Sequence, residues 1–202
     1  MFISLGPACS VKYHIDKYLK TTRTSQYTHF FDYLISSEKA ILTLLSCKDI
    51  DAKLKTIDNG VHSNGKAIIT LPELDNTTSI HDIKEQYTKQ DIDTFINKYK
   101  RRYYRLLNDI HSSTEPIIFI RRSHVSANFE SKIAPYLLGK HYLVTISKEV
   151  DKDDPLVKYN ATNRHLILNF WKFKQPKNND PEWADPELNW SRIFETIKKV
   201  LK

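Results

Sequence analysis

Apolar residues recur along the chain in two rhythms. The opening run Phe2-Ile3-Ser4-Leu5 is short and apolar, which predicts a buried strand, and Gly6-Pro7 closes it with a turn. From Cys9 to Leu19 the rhythm changes, with Val11, Ile15, Tyr18 and Leu19 at helical spacing. Strand, turn and helix in that order put Cys9 or Ser10 at a helix N-terminus, where unbonded N–H groups and the helix dipole favour negative charge. Tyr27 to Leu34 is rich in aromatics and reads as a strand or a buried irregular segment. Ser36-Ser37-Glu38-Lys39 reads as a helix start, continued by Ala40, Ile41, Leu44 and Leu45. Asn59-Gly60 and Asn64-Gly65 are turn dipeptides, and short strands around them, Ala67 to Leu71 among them, predict a hairpin. Asp75 to Ser79 reads as a polar connection.

The strongest stripe belongs to a helix from Asp91 to Ile110, where Ile92, Phe95, Ile96, Tyr99, Tyr103, Leu106, Leu107 and Ile110 share one face. Past Pro116, Ile117 to Ile120 is apolar without a break, as in a strand covered on both faces. Phe129 to Leu138 reads as a helix despite Pro135, Tyr142 to Ile146 and Leu166 to Phe170 as strands, and Asn189 to Leu201 as an amphipathic helix. This alternation predicts an α/β fold, a layered domain with a central, largely parallel sheet flanked by helices. An α+β papain-like arrangement is the alternative. No repeat or Gly/Ser linker divides the chain, so residues 1–202 read as a single α/β domain. Its expected core is the three later strands together with Phe95, Tyr99, Tyr103 and Leu106. Trp183 and Trp190 read as packing anchors.

Composition narrows the class. Among 202 residues, 40% are hydrophobic and 11% aromatic, too much bulk for a disordered chain. No apolar run approaches the roughly 20 residues that span a bilayer, and the first residues lack a basic leader, so the chain reads as soluble and cytoplasmic with no membrane partner. Lys plus Arg exceed Asp plus Glu by 31 to 24, which favours anionic partners. The densest basic cluster, Lys98, Lys100, Arg101, Arg102 and Arg105, reads as the wet face of the long helix. Basic residues interleaved with aromatics are absent elsewhere, which argues against nucleic acid. Two cysteines, Cys9 and Cys47, are too few for a disulfide framework and read as free thiols. The GxxxxGK[ST], GxGxxG, HExxH and GxSxG patterns are absent, and no cofactor or metal is expected.

Four places hold residues that can carry chemistry. A thiol at a helix N-terminus, as at Cys9, gains thiolate character, although such a Cys can also be a small buried hydrophobe. His81-Asp82 can supply a base and an acid or can cap a helix, and His62 and His124 are other possible bases. Arg121-Arg122-Ser123-His124 follows a strand directly, and ligands of open α/β sheets bind outside those strand ends. An Arg there can hold a phosphate or carboxylate, or one Arg is solvated while the other pairs with an acid such as Asp32. Asp32, among Phe30, Phe31 and Tyr33, must find a partner or an elevated pKa. Gly6, Asp32, Arg121 and Arg122 form the candidate substrate-binding set.

In order over residues 3 to 190, five motifs resemble one family: Ile3-Ser4-Leu5-Gly6-Pro7-Ala8-Cys9, Phe30-Phe31-Asp32-Tyr33-Leu34, His81-Asp82, Lys98-Tyr99-Lys100-Arg101-Arg102 and Phe119-Ile120-Arg121. That family is described as papain-like cysteine peptidases and is found in bacteria and large DNA viruses. The resemblance implies Cys9 as nucleophile, His81 as its base and Asp82 as the nearest acidic third member. It implies a peptide substrate, and the host cytoplasm if the chain is viral. The residues themselves keep two other classes open. One is a glycosyltransferase-like enzyme that binds a nucleotide-sugar diphosphate at the Cys9 helix N-terminus and Arg121. The other is a non-catalytic interaction domain.

Overall fold

Phe119 and Ile120 point to opposite faces of one strand, and each face is covered by its own set of helices. The computed structural model describes residues 1–7, 9–20, 28–61, 67–80, 82, 87–148, 156–170, 184–185 and 188–201. The strand in question is β6 (Ile118–Arg121), whose parallel neighbours are β1 (Phe2–Ser4) and β7 (Tyr142–Lys148). Beyond β7 lie β9 (His165–Phe170), also parallel, and β8 (Leu156–Asn160), which pairs antiparallel with β9. The sheet order is therefore β1-β6-β7-β9-β8. This is the layered α/β architecture, and the run of parallel neighbours sets the papain-like alternative aside.

On one face, α1 (Cys9–Leu19) and α6 (Trp190–Val200) pack Val11, Ile15, Trp190, Ile193, Phe194 and Ile197 against Ile120, Val144, Ile146, Leu166 and Leu168. On the other, α4 (Lys89–Ser112), α2 (Glu38–Leu45) and α5 (Ala127–Ile133) cover Ile3, Phe119 and Leu143. A Thr88–Asp91 capping box starts α4, and the Ser37 hydroxyl accepts from the Ala40 amide to start α2. A short helix, α3 (Ile50–Lys53), precedes a second sheet. That sheet is antiparallel and joins β2 (Leu34–Ile35), β5 (Thr77–Ser79), β4 (Ala67–Leu71) and β3 (Asp58–Val61) in that order.

Several elements differ from the sequence reading. Pro135 ends α5 at Ile133, and Ala134–Leu137 continues as a 3-10 turn, because proline lacks the amide that the helix needs. Asn59-Gly60 lies inside β3 rather than in a turn, since pairing with Ile68 and Ile69 of β4 overrides the local preference. The Asn64-Gly65 dipeptide lies outside the described residues, as does Trp183, whereas Trp190 is buried as expected. The polar stretch 75–79 contains β5, whose Thr77 and Ser79 are buried because each hydroxyl has an internal acceptor. The edge strand β8, which the sequence reading does not place, mixes apolar and polar residues and leaves Val157 and Tyr159 exposed.

Candidate functional site at the C-terminal edge of the parallel sheet

The loops that leave β1 and β6 depart to opposite faces. After β1 the chain enters α1 on one side, and after β6 it enters α5 on the other. Adjacent parallel strands whose helices diverge in this way open a crevice at their C-terminal ends. The backbone ladder continues into it. Leu5 donates to the Ile120 carbonyl at 2.8 Å and Arg122 to the Gly6 carbonyl at 3.4 Å, which sets Gly6 beside Arg122. Gly6 has φ +70°, and a Cβ there would run into Ser36 Oγ, so any other residue is strained and must displace Ser36.

Arg121 spans the top of this edge. Its Nη1 donates to the Leu5 carbonyl at 2.8 Å and its Nη2 to the Ser36 carbonyl at 3.1 Å, while Ser36 Oγ also donates to Leu5 at 3.2 Å. Arg121 is 5% exposed and makes no ion pair with a carboxylate among the described residues. Burial pulls its pKa down, partly offset by the charge of Glu38. Among the described residues its Nε has no hydrogen-bond partner, and neither do Ser10 Oγ in the first turn of α1 or Ser123 Oγ just past β6. Each unmet buried polar group costs about 1–3 kcal/mol.

Arg122 points the other way. Its Nε lies 2.5 Å from Asp185 Oδ2, so this Arg is a member of an ion pair. Neither Arg pairs with Asp32, which corrects one of the sequence readings. Asp32 instead stands 3.5 Å from Lys12 and accepts from the His29 amide at 2.8 Å. Lys12 also pairs with Asp16 at 2.9 Å, and Tyr33 donates to Asp16 at 3.0 Å. Burial raises the Asp32 pKa, against the charges of Lys12, His29 and Arg102, and among the described residues its Oδ1 has no hydrogen-bond partner.

Asp82 is spent elsewhere. It accepts from Ser79 at 2.6 Å, from Tyr99 at 2.5 Å and from Lys98, on β5 and α4. Burial works to raise its pKa, but the Lys98 charge and these donors outweigh it and hold the carboxyl below its usual range. His81 and His62 lie outside the described residues, and His124 is exposed. Cys9 is the first residue of α1, is partly exposed and forms no disulfide.

The basic face of α4 departs from the sequence reading except at Arg101, which is exposed as that reading has it. Lys98 pairs with Asp82, Lys100 with Asp51, and Arg105 donates to the Thr28 carbonyl at 2.6 Å. Arg102 is buried and donates to Tyr99 and to the Asp32 carbonyl. These cations fasten α4 to its neighbours. Two signals were available: Arg102 sits within the apolar stripe, and Lys12 and Asp16 stand at i,i+4 spacing. Ser123 carried no signal of its own.

A groove of about 510 Å³ between α2 and α5 is lined by Leu42, Thr43, Asn128 and Phe129, and none of the candidate residues lines it. Among the described residues, no group of three or more His, Cys, Asp or Glu could hold a metal ion, and no helix is long and apolar enough to cross a membrane. Comparison with family models, curated proteins and solved structures finds no match to this chain.

Proposed function

We propose that the chain is a group-transfer enzyme of the glycosyltransferase kind, taking a nucleotide-sugar diphosphate in the crevice between β1 and β6. The observation that carries this reading is Arg121, a buried cation without a carboxylate partner among the described residues, at the point where the two loops diverge. A buried charge is tolerated when an opposite charge answers it, and a diphosphate would do so. In such a transfer the acceptor hydroxyl bonds to the sugar carbon and its proton passes to the departing diphosphate. The diphosphate leaves with the electrons of the broken C–O bond. Arg121 and the α1 amides would oppose the charge that builds on that leaving group. The formal net charge of +7 supports an anionic substrate in general terms.

Calorimetric titration with a panel of nucleotide sugars, UDP-glucose among them, tests the reading. At least one should bind, and Arg121→Lys should weaken it by about tenfold or more, because lysine lacks the planar fork. If no member of the panel binds at millimolar concentration, the reading is wrong. Equal loss of melting temperature and binding would assign Arg121 to the frame alone.

A second reading, a thiol hydrolase with Cys9 as nucleophile and His81 as base, rests on the partly exposed Cys9 at the first residue of α1. Asp82, with three donors on β5 and α4, adds nothing to it. Under this reading iodoacetamide modifies Cys9 well below the free-thiol pKa of about 8.5, and His81→Ala moves that profile upward. An unchanged profile in His81→Ala removes it.

A further inference from the structure

We propose that the N-terminal edge of the parallel sheet, at the opposite end of the strands from the crevice, is a docking surface for an anionic lipid bilayer, on which the protein lies without crossing it.

Phe2, Ile118 and Tyr142 are register partners at the start of β1, β6 and β7. They share the face that carries α1 and α6, since Phe2 and Ile118 pack on that cluster and Tyr142 alternates with Val144 of the same cluster. Both helices end at this level. The Tyr18 ring lies 6.5 Å from Phe2 and 4.5 Å from Phe194, and Lys198 Nζ stands 4.7 Å from its centre. On the other flank the Tyr159 ring of β8 lies 6.5 Å from Tyr142, and the Arg164 guanidinium stands 4.0 Å over Tyr142. The link into β7 joins the same edge, where Lys140 Nζ donates to the Ser113 carbonyl just past α4 at 2.9 Å.

Two kinds of side chain reach solvent here. Leu19 in the last turn of α1, Val200 in the last turn of α6, Leu138 ahead of β7 and Tyr159 are large, apolar in body and exposed. Lys20, Lys140, Arg164 and Lys198 stand among them. Lys140 and Arg164 donate to backbone carbonyls, which leave their charge unneutralised, and among the described residues Lys20 forms no ion pair. Of the acids beside them, Glu195 accepts from Tyr18, Glu130 accepts from Asn160 and Asn163, and Glu115 is exposed. The edge therefore carries surplus positive charge, which an anionic partner complements.

The arrangement selects a bilayer over a protein or a nucleic acid. The apolar tips come from separate elements with cations between them, so they offer no continuous stripe to a partner helix or strand. A bilayer needs none. Isolated aliphatic tips enter the acyl boundary, tyrosine rings rest among the headgroups, and Lys and Arg reach the anionic lipids. Adsorption of this kind needs no membrane-crossing helix. No apolar run announces it, because the surface is gathered from both ends and the middle of the chain.

The test measures flotation of the intact chain with vesicles of phosphatidylcholine, alone or mixed with phosphatidylserine, at fixed ionic strength. Binding to the phosphatidylserine vesicles should be about tenfold tighter or more. Lys20→Glu, Lys198→Glu and the double variant Leu19→Ser/Leu138→Asn should each weaken it by about tenfold. Lys39→Glu changes the net charge as much as either lysine variant but lies at the opposite edge, near Ser36 and Arg121, and should bind as wild type does. Melting temperatures of all variants control for folding. Absence of binding to phosphatidylserine vesicles would overturn the proposal. An equal loss in Lys39→Glu would overturn it by showing that net charge alone governs, and so would a leucine double variant that binds as wild type does. Tighter binding of an oligouridylate than of the vesicles, lost in Lys20→Glu and Lys198→Glu, would assign the edge to nucleic acid instead.

Discussion

Lys12 and Asp32 face each other between α1 and the turn before β2, with Nζ 3.5 Å from Oδ2 and both side chains buried. Lys12 also holds Asp16, so one cation answers two acids. Removing the cation therefore costs more than removing Asp32. Lys12→Met should destabilise by about 3–5 kcal/mol, because two buried carboxylates lose their shared partner. Asp32→Asn keeps the Lys12–Asp16 pair and should lose on the order of 1 kcal/mol. Denaturant melts rank the two, and equal losses would show that Asp32 is the main partner of Lys12.

Asp32 also gives stability a pH slope. Burial puts its pKa above that of the unfolded chain, so over that interval the folded protein keeps a proton that the unfolded chain releases. Its contribution therefore falls as pH rises from about 4. Asp32→Asn should flatten that limb of the stability profile. Wild type and variant with parallel profiles would contradict the assignment.

His141 tilts stability the other way. Its ring is buried, accepts from the Ile117 amide at 3.1 Å and approaches the Ile110 carbonyl at 2.7 Å. A neutral ring with the proton on Nε2 satisfies both contacts. Burial lowers its pKa, so below about 6.5 the unfolded chain takes a proton that the folded one refuses. Stability should fall between neutral pH and pH about 5, and His141→Phe should be less stable at neutrality but lose less on acidification. Chemical denaturation at the two pH values reads the difference.

Gly6→Ala should cost more than about 1 kcal/mol from its positive φ alone, and the contact with Ser36 Oγ adds to that. Ser36→Ala in the same chain should return part of the second share. Thermal melts of the single and double variants measure the coupling, and strict additivity would show that the two side chains do not meet.

The two cysteines should differ in reactivity. Cys9 begins α1, where the dipole favours a thiolate. Cys47 lies just past α2, its amide on the Leu44 carbonyl, and packs against the core. Iodoacetamide should label Cys9 roughly tenfold faster in the native protein. Mass spectrometry of a time course decides, and equal rates would remove any special character from Cys9.

What the chain reveals before folding follows from how far each feature depends on distant partners. The stripe from Ile92 to Ile110 is legible because it answers to one helix period, and α4 spans it. The apolar run before Arg121 is legible because both faces of β6 are covered. β5 escapes because Thr77 and Ser79 look solvated until Leu74 and Asp82 come within hydrogen-bond reach. The crevice is half legible. The end of an apolar strand marks Arg121, but its grip depends on Leu5, 116 positions away, and on Ser36, 85 positions away. Asp82 beside His81 looks like catalytic chemistry, whereas Lys98 and Tyr99, on another element, claim its carboxylate.

The position of β1 at the edge of the parallel sheet sets the order in which a nascent chain can be completed. Met1 reaches Pro116 across a separation of 115 residues, and among the described residues β1 pairs only with β6. β1 therefore waits for its neighbour until Ile118 to Ile120 have been made. Its helix waits longer, since Val11 and Ile15 are sheltered by Val144, Leu166 and Ile193 from the last third of the sequence. Contacts of such long range make assembly slow and expose apolar surface meanwhile. A chain cut before α6 would retain Cys9, Asp32 and Arg121 yet leave α1 uncovered, and it would meet proteases and chaperones as an unfinished protein.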